Sequence, residues 1–381
     1  LTAGANMENT LWWIFFLALG IQFTYLMVVF GRFVFFHKAQ REALQDTNLS
    51  GVSIIIAAKN EARNLQDLVP LLMEQDYPDF EVLVVNDCST DNSEDLLRSL
   101  AETYTNLRIV NVRYTPDHVT AKKYALTLGI KVSKYETILL TDADCRPVSS
   151  HWIKRMSAPV RNEGKTFALG HGSYLALPGL LNKIIQYETL FTAIYYFSFG
   201  YWKSPFMGVG RNLCYQKSFF MEKKAFKSLW HIEGGDDDLF VNLYATADNT
   251  AIVAHPESIT VSQPKTNFKA YFTQKKRHFH AGKYYRTKDK LKLGLYSLSH
   301  LVFWLSAVGI VILESTWEPI ALVLGLVLTR AILQYLIIHR ARKKLEGTGK
   351  VIWTLFFDLM YMIYFWTLGT KGYLSKTVKW K

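Results

Sequence analysis

Cysteine is scarce in this chain. Three occur in 381 residues, Cys88, Cys145 and Cys214, and no two have C-x-x-C spacing. This argues against a disulfide framework and against a structural zinc site, because both need clustered thiols. We expect the three thiols to be reduced and packed. The sequence also has no internal repeat, low-complexity segment or long linker, so an ordinary globular part is expected.

Charge is missing from two long stretches. Residues 11–30 and 294–313 contain no Asp, Glu, Lys or Arg, and each is long enough to cross a bilayer as a helix. Residues 319–338 and 351–370 contain one charge each. The pattern predicts an uncleaved N-terminal anchor and a C-terminal membrane region over 294–370 with about three helices.

Residues 1–6 precede Met7 and are expected to be a cloning remnant, so they carry no weight in the fold prediction. Basic residues flank the spans on the side of the intervening region, whereas the loop "ESTWEP" is acidic. The positive-inside rule therefore places that region in the cytoplasm, on a multi-pass protein of the inner (plasma) membrane. The basic tail 371–381 disagrees: either the rule fails there or 351–370 does not cross completely.

The formal net charge is +12. Anionic lipid and nucleic acid are the two partners that a basic surface commonly meets. The sequence contains no recognisable nucleic-acid-binding motif, and its apolar spans favour the membrane. We therefore expect no nucleic-acid partner.

The two charges inside apolar spans lie at matching depth. If 319–338 and 351–370 are antiparallel, Arg330 and Asp358 each lie about 12 Å from the cytoplasmic side, at 1.5 Å per residue. A charge inside a membrane needs a partner. We therefore predict an ion pair between Arg330 and Asp358.

Strand-like and helix-like patterns alternate between residues 50 and 290. Strand-like apolar runs occur at 52–57, at the start of "FEVLVVNDCSTDNS" (80–93), at 106–112 and at the start of "ETILLTDADC" (136–145), and helical spacing follows three of them. Alternation of this kind predicts a mostly parallel sheet with helices on both faces, with ligands bound beyond the carboxyl ends of the strands. Residues 179–205 are rich in aromatic side chains, and two alternatives stay open for them: protein core or an interfacial membrane segment.

Three predicted strands end in acidic tips. Glu61 follows the first, Asp87 ends the second, and "DAD" with Asp142 and Asp144 follows the fourth. Two carboxylates this close repel unless a cation or hydrogen-bond donors compensate. An Asp after a strand also caps turns and helices, but three acidic tips on one edge favour a charge-binding site.

The order of motifs resembles that of the membrane-bound inverting glycosyltransferases of family 2. They are "AAKNEA", "VVNDCSTD", "DAD", "GGDDDLF" and "QKKRH", over about 52–285. The resemblance implies an α/β GT-A domain, a Rossmann-like nucleotide-sugar-binding fold, inserted between transmembrane helices. It places Glu61 near the ribose or base, Asp87 at the nucleobase and Lys122 near the nucleotide. For the neighbouring Lys123 we prefer an exposed helical lysine.

"DAD" corresponds to the Asp-x-Asp motif of that family. The resemblance implies that Asp144 binds a divalent cation and that Asp142 contacts the cation's shell or the donor sugar. Carboxylate oxygens select Mg²⁺ or Mn²⁺ over zinc. Such a cation neutralises the negative charge that develops on a diphosphate leaving group.

Inverting transfer also needs a base for the acceptor hydroxyl. "GGDDDLF" aligns Asp236, Asp237 and Asp238 with the acidic motif, making Asp237 the base and leaving Asp238 as the alternative register. Crowding by neighbouring carboxylates would raise the pKa of the base. At least one of the three is expected to be a helix N-cap.

"QKKRH" resembles the Gln-x-x-Arg-Trp motif. Gln274 and Arg277 share a helical face, and Arg277 is suited to bind the diphosphate. His278 replaces the tryptophan of processive members, and either packing or pH sensing stays open for it. Arg211, in "GVGRNL", lies where the family contacts the acceptor or pyrophosphate, although the flanking glycines also suit a tight turn.

Together these features predict a metal-dependent glycosyltransferase. It would transfer a sugar with inversion from a nucleotide diphosphate sugar, most simply a UDP-sugar, to a membrane lipid or polyprenyl-linked acceptor. The alternative enzyme is a processive polysaccharide synthase that also translocates its product. A catalytically inactive anchor of the same fold is the alternative from another class, and the intact carboxylates argue against it.

Overall fold

The first apolar run forms a helix, as its length and lack of charge predict. In a computed structural model that describes residues 2–36, 49–346 and 354–375, helix α1 spans Thr2–Phe23. Wider π-helical turns continue it over Thr24–Phe30 and Arg32–Phe36. A helix satisfies its backbone hydrogen bonds internally, which a segment inside hydrocarbon requires.

The predicted alternation of strands and helices is present in the first half of the globular part. In chain order its elements are β1 (Val52–Ala58), α2 (Ala62–Met73), β2 (Phe80–Asp87), α3 (Ser93–Thr103), β3 (Leu107–Val112), α4 (Ala121–Val132) and β4 (Thr137–Leu140). The strands β1, β2, β3 and β4 are mutually parallel where they pair. Their carboxyl ends therefore lie at one edge of the sheet.

The second half is less regular. Its elements are β5 (Cys145–Pro147), α5 (Trp152–Asn162), β6 (Phe167–Leu169), β7 (Gly172–Tyr174), α6 (Leu180–Tyr201), β8 (Leu213–Gln216), α7 (Lys217–Glu222), α8 (Asp238–Tyr244), β9 (Thr250–Ile252), β10 (Thr260–Ser262) and α9 (Phe268–Gly282). Seven strands form the main sheet in the order β3-β2-β1-β4-β8-β6-β9, in which β8 runs antiparallel to both neighbours. A small sheet, β5-β10-β7, lies beside it.

Alternate residues of β1 separate the two faces of the main sheet. Ile54 and Ile56 pack with α2 on one face, and Ile55 packs with α4 on the other. Helix α4 comes so close that a Cβ on Gly129 would lie 2.8 Å from the Val85 side chain. Only glycine fits there, and the close approach fixes the position of the helix above the site.

Helix α6 corresponds to the aromatic segment. Buried residues make up 14 of its 22 positions, and Phe191 and Tyr195 pack against Phe30 of the first apolar helix. Most side chains of α6 therefore belong to the protein core, which was one of the two alternatives for this segment. An interfacial position for 179–205 stays a prediction.

Two further long helices follow the globular part, α10 (Thr287–Leu313) and α11 (Trp317–Glu346), and then α12 (Thr354–Leu374). Within the described ranges, three helices are long and apolar enough to cross a membrane: Asn9–Phe35, α10 and α11. Helix α12 packs against α9, with the rings of Phe279 and Phe365 5.5 Å apart. Residues 351–353 of the predicted fourth span and 376–381 of the basic tail lie outside the described ranges.

The predicted ion pair between Arg330 and Asp358 is confirmed. Arg330 Nη1 donates to Asp358 Oδ2 at 2.8 Å, and both side chains are buried. The same guanidinium donates through Nη2 to Gln22 Oε1 at 2.7 Å. Gln334 Nε2 donates to the second carboxylate oxygen at 2.7 Å, and His300 Nε2 lies 3.0 Å from the first. The network joins α1, α10, α11 and α12.

Candidate active site

The loops after β1 and β2 are fastened to each other at the carboxyl edge of the sheet. Asn60 has φ of 58°, and its Oδ1 accepts a hydrogen bond from the Thr90 backbone N–H at 2.7 Å. Asn tolerates this left-handed conformation better than most residues. Glu61 follows and accepts from Asn64 Nδ2 at 2.6 Å. Burial, together with the charges of Asp144 and Asp142, raises the pKa of Glu61.

Asp87 ends β2 but lies deeper than the other acidic tips. Its side chain is 2% exposed, and Thr115 Oγ1 donates to its Oδ1 at 3.3 Å. Its Oδ2 has no hydrogen-bond partner in the described part of the chain. It does not line the main cavity described below. Its role at the nucleobase stays a prediction.

The "DAD" turn brings three possible metal ligands together. Ligand atoms of Asp142, Asp144 and Cys145 all lie within 4.8 Å of one another. Burial, and then the charge of Asp142, raises the pKa of Asp144. An uncompensated negative charge is thus unfavourable here, and a divalent cation would remove that cost.

Cys145 is a poor ligand for a hard cation. Its side chain is fully buried, as expected for a packed thiol, and burial raises its pKa to about 12. The protonated Sγ lies 3.7 Å from Asp144 Oδ1, where it acts as a donor. The two carboxylates alone therefore fit the oxygen preference of Mg²⁺ or Mn²⁺.

Lys122 connects the "DAD" turn to the second acidic motif. Its Nζ lies 3.0 Å from Asp142 Oδ1 and 3.0 Å from Asp236 Oδ2. Burial opposes the charge of the ammonium group, but the two carboxylates outweigh it and raise the pKa of Lys122. The ammonium group of Lys122 therefore pairs with carboxylates of two motifs that lie almost a hundred residues apart in the sequence.

The expectation that Lys123 is an exposed helical lysine is wrong. The side chain is 1% exposed, and its Nζ donates to the backbone carbonyl oxygens of Ile232 (2.5 Å) and Gly234. Position 123 shares a helical face with the buried Leu126 and Ile130, which is the sequence signal that would have indicated burial. Lys123 holds the loop that leads to the acidic motif.

The three consecutive aspartates have different environments. Asp237 is the N-cap of α8, as expected for one of them, and accepts from the backbone N–H groups of Asp238 (2.8 Å) and Gly210 (2.6 Å). Burial raises the pKa of Asp237, and the charge of Asp236 raises it further. Asp236 differs, because the charges of Lys122 and Lys123 overcome its burial and lower its pKa.

Asp238 is linked to the start of the C-terminal apolar region. Its Oδ2 accepts from the hydroxyl of Tyr285 at 2.8 Å, and burial followed by the charge of Asp237 raises its pKa to about 7. One turn later, Asn242 Nδ2 donates to Asp289 Oδ2 at 3.0 Å. The fully buried Asp289 also pairs with Arg286. Sequence analysis did not identify Tyr285, because no local pattern marks a contact across 47 residues.

The basic motif lies on α9. Gln274 Nε2 donates to the hydroxyl of Tyr174 at 3.3 Å, and the guanidinium of Arg211 lies 4.3 Å from the centroid of the same ring. Arg277 and His278 face the same cavity. The His278 side chain is exposed, so packing and pH sensing both stay open for it.

Nearly all of the predicted site residues line one cavity of about 1510 Å³. Among the predicted site residues it is lined by Glu61, Lys122, Asp142, Asp144, Arg211, Asp236, Asp237, Asp238, Gln274 and Arg277. The arrangement offers carboxylates for a divalent cation, cationic side chains for a diphosphate, and in Asp237 a half-buried carboxylate of raised pKa that can accept a proton.

Sequence comparison identifies relatives of the globular part. Residues 53–200 match the glycosyl transferase family 2 model. The poly-beta-1,6-N-acetyl-D-glucosamine synthase of Staphylococcus epidermidis is 26% identical over 109 residues, 29% of this chain and 25% of that protein. Glycosyltransferase AglE of Haloferax volcanii is 31% identical over 120 residues, 31% of this chain and 38% of that protein. The chain thus matches well under half the length of either relative.

A glycolipid enzyme and a solved structure are also similar. The beta-monoglucosyldiacylglycerol synthase of Nostoc sp. is 33% identical over 104 residues, 27% of this chain and 22% of that protein. The mannosyltransferase PcManGT from Pyrobaculum calidifontis, solved with GDP-Man and Mn²⁺, superposes with a TM-score of 0.58. The superposition covers 94% of this chain and 99% of that one at 16% identity, which is a likeness of fold.

Proposed function

We propose, from the match of residues 53–200 to the glycosyl transferase family 2 model and from the GT-A-like fold, that the chain is a metal-dependent enzyme that transfers a sugar with inversion. The donor is a nucleotide diphosphate sugar, a UDP-sugar in the simplest case. The acceptor is a lipid or lipid-linked glycan at the cytoplasmic face of the inner membrane. The observation that carries the proposal is the single cavity where Asp142, Asp144, Asp237 and Arg277 meet.

Each group has a defined part in the proposed reaction. Asp237 takes the proton of the acceptor hydroxyl while the oxygen forms its bond to the anomeric carbon. The bond from that carbon to the diphosphate breaks in the same displacement, and its electron pair leaves with the nucleotide. Arg277 and Arg211 bind the negative charge of the diphosphate, and Glu61 binds the nucleoside. Held by Asp144, with Asp142 beside it, Mg²⁺ or Mn²⁺ would add Lewis-acid stabilisation of the leaving group.

Two backbone donors hold the proposed base in place. The N–H groups of Gly210 and Asp238 fix both carboxylate oxygens of Asp237 at 2.6 and 2.8 Å. Such bonds alone would favour the ionised form, but burial and the neighbouring Asp236 shift the pKa upward. A raised pKa makes the carboxylate a stronger base for a hydroxyl proton.

The second candidate is a processive polysaccharide synthase that translocates its product. The synthase of Staphylococcus epidermidis among the relatives supports it. His278 stands where processive members have a tryptophan in the acceptor site, and this favours single transfer.

The test uses the full chain in detergent with membrane extract and a panel of nucleotide sugars. Nucleotide release and the mass of lipid and glycan products are measured with and without Mg²⁺ or Mn²⁺. Asp237→Asn should lower transfer at least about 100-fold, because a positioned base contributes roughly 10²–10⁴. Asp144→Asn should remove the response to added metal.

Asp117→Asn is the matched control. Asp117 is exposed and lies outside the cavity, so its rate should stay at that of the unmodified chain. A chain that neither binds any nucleotide nor releases one from its sugar would refute the proposed activity.

A further inference from the structure

An ion pair that the sequence motifs do not explain lies in the wall of the site cavity. Lys275, on α9, donates through Nζ to Glu188 Oε2, on α6. Both residues line the cavity, and neither side chain is more than 10% exposed. Burying two charges is costly, and replacing a buried ion pair with apolar residues is often neutral or stabilising. The pair is therefore weak evidence for stability alone, and its place in the cavity wall points to a part in the reaction.

Lys275 lies between two predicted site residues of α9. Gln274 and Arg277 both line the cavity, and because a helix moves as a rigid rod their positions change together with that of Lys275. The side chain of Arg277 packs beside the acidic loop, since a Cβ on Gly234 would lie 3.6 Å from the Arg277 Cγ. The position of α9 therefore determines where the guanidinium of Arg277 meets a ligand.

The same stretch of α6 supports Arg211. Gln186 Nε2 donates to the Tyr174 backbone carbonyl oxygen at 2.6 Å. The guanidinium of Arg211 lies 4.3 Å from the centroid of the Tyr174 ring, and Gln274 Nε2 donates to the hydroxyl of that ring at 3.3 Å. Gln186 and Glu188, two residues apart on α6, thus contact the supports of both arginines.

Helix α6 is anchored among the apolar helices. The hydroxyl of Tyr187 accepts a hydrogen bond from Gln334 Nε2 of α11 at 2.9 Å, and Gln334 also donates to Asp358 Oδ1 of α12. Helix α9 contacts α12 through ring stacking, with the centroids of Tyr271 and Tyr364 6.0 Å apart. The ion pair therefore joins α9 to a helix that the apolar helices hold in place.

We propose that Glu188 is a positioning residue for binding of the donor diphosphate. Through Lys275 it holds α9 in the position at which Arg277 and Arg211 bind the same diphosphate. Glu188 acts through these side chains and does not itself touch the substrate. This inference rests on the proposed transferase activity and adds to it a residue that lies outside every motif of the site.

The first experiment removes each partner of the pair, in the full chain in detergent. Glu188→Gln and Lys275→Met should each weaken binding of UDP or GDP, whichever the unmodified chain binds more tightly, by about ten-fold, or about 1.4 kcal/mol. The KM for the nucleotide sugar should rise by a similar factor and kcat should change less, because the proposed base, Asp237, lies on a different element. A purely structural pair would lower the melting temperature and leave nucleotide affinity unchanged.

The direction of the two effects tests the proposed role. If Lys275 itself bound the diphosphate, Glu188→Gln would release its ammonium group and tighten nucleotide binding, whereas Lys275→Met would weaken it. Opposite signs would therefore overturn the positioning role, as would unchanged affinity in both variants. Lys276→Met is the matched control, because Lys276 is the next cation on α9 and lies outside the cavity. Its nucleotide affinity should equal that of the unmodified chain.

Two double variants separate position from folding. Glu188→Lys with Lys275→Glu retains opposite charges across the same gap and should recover most of the lost nucleotide affinity. Glu188→Met with Lys275→Met replaces the pair with flexible apolar side chains of similar length, a change that is often neutral for stability. It should melt near the unmodified chain and still bind nucleotide about ten-fold more weakly. Full affinity in this variant would overturn the positioning role, whereas an unmodified chain that binds no nucleotide would overturn the transferase proposal itself.

Discussion

Lys122 and Asp236 form an ion pair of 3.0 Å in which the carboxylate is almost completely buried and the ammonium is one-fifth exposed. The same ammonium also pairs with Asp142 of the "DAD" turn. A single lysine therefore sets the distance between the proposed metal-binding carboxylates and the acidic motif that contains the proposed base.

Removing the ammonium should damage both sides of the site. Lys122→Met removes the ammonium group that pairs with the buried carboxylate of Asp236. Breaking a buried ion pair by removing one partner lowers the free energy of unfolding by about 3–5 kcal/mol. We expect a large drop in the melting temperature in detergent together with loss of transfer. Lys122→Arg keeps the charge and should recover most of the stability. If Lys122→Met melts like the unmodified chain, the pair has no structural importance.

Lys123 should matter for the position of the acidic loop as well as for the charge of Asp236. Lys123→Met retains the length of the side chain but leaves the carbonyl oxygens of Ile232 and Gly234 without their donor, at a cost of about 1–3 kcal/mol. The acidic loop should then be less ordered, so kcat should fall more than donor affinity. Lys131→Met, at an exposed site on the same helix, is the control and should change neither quantity. Equal behaviour of the two variants would exclude this role.

Asp238 should make stability depend on pH near neutrality. Its pKa is about 7 in the folded chain, above the value of about 4 for an unfolded aspartate. The folded state therefore holds the proton more tightly. The resulting stabilisation is complete below about pH 4 and is lost as the pH rises through about 7. Melting temperatures across this range should fall with pH in the unmodified chain and less steeply in Asp238→Asn.

Asp117→Asn should reproduce the pH profile of the unmodified chain, because its side chain is exposed. A slope that is the same in Asp238→Asn as in the unmodified chain would show that another group titrates.

The Arg330–Asp358 pair can be tested by a double-mutant cycle. Arg330→Met should destabilise the chain by about 3–5 kcal/mol, because Asp358 keeps a buried charge. Adding Asp358→Leu removes that charge, so the double variant should be more stable than Arg330→Met alone. Melting in detergent micelles measures all four corners of the cycle. Additive effects of the two substitutions would mean that the charges do not interact.

The sequence predicted the features that depend on periodicity and end residues. The strands that lead to Glu61, Asp87 and "DAD" follow from apolar runs that stop at polar residues, and the Arg330–Asp358 pair followed from counting residues along two helices. These inferences succeed because backbone geometry is regular, so position along the chain gives position in space.

Features that depend on contacts between distant segments were not predictable in the same way. The burial of Lys123 depends on a loop more than a hundred residues later, and the bond from Tyr285 to Asp238 crosses 47 residues. The depth of Asp87 relative to the cavity depends on how side chains from neighbouring strands fill the space. Helix α6 was ambiguous because an aromatic run suits both a protein core and a membrane surface, and only its neighbours decide which side chains are buried.

The bonds from α8 to the start of α10 limit how the chain can be divided. A water-soluble fragment ending at residue 282 would retain the "DAD" turn and the three aspartates. It would lose Tyr285 and Asp289, however, and expose the faces of α6 and α9 that now pack on the apolar helices. We therefore expect such a fragment to be less stable than the full chain, and preparations for kinetic or structural work should keep the helices.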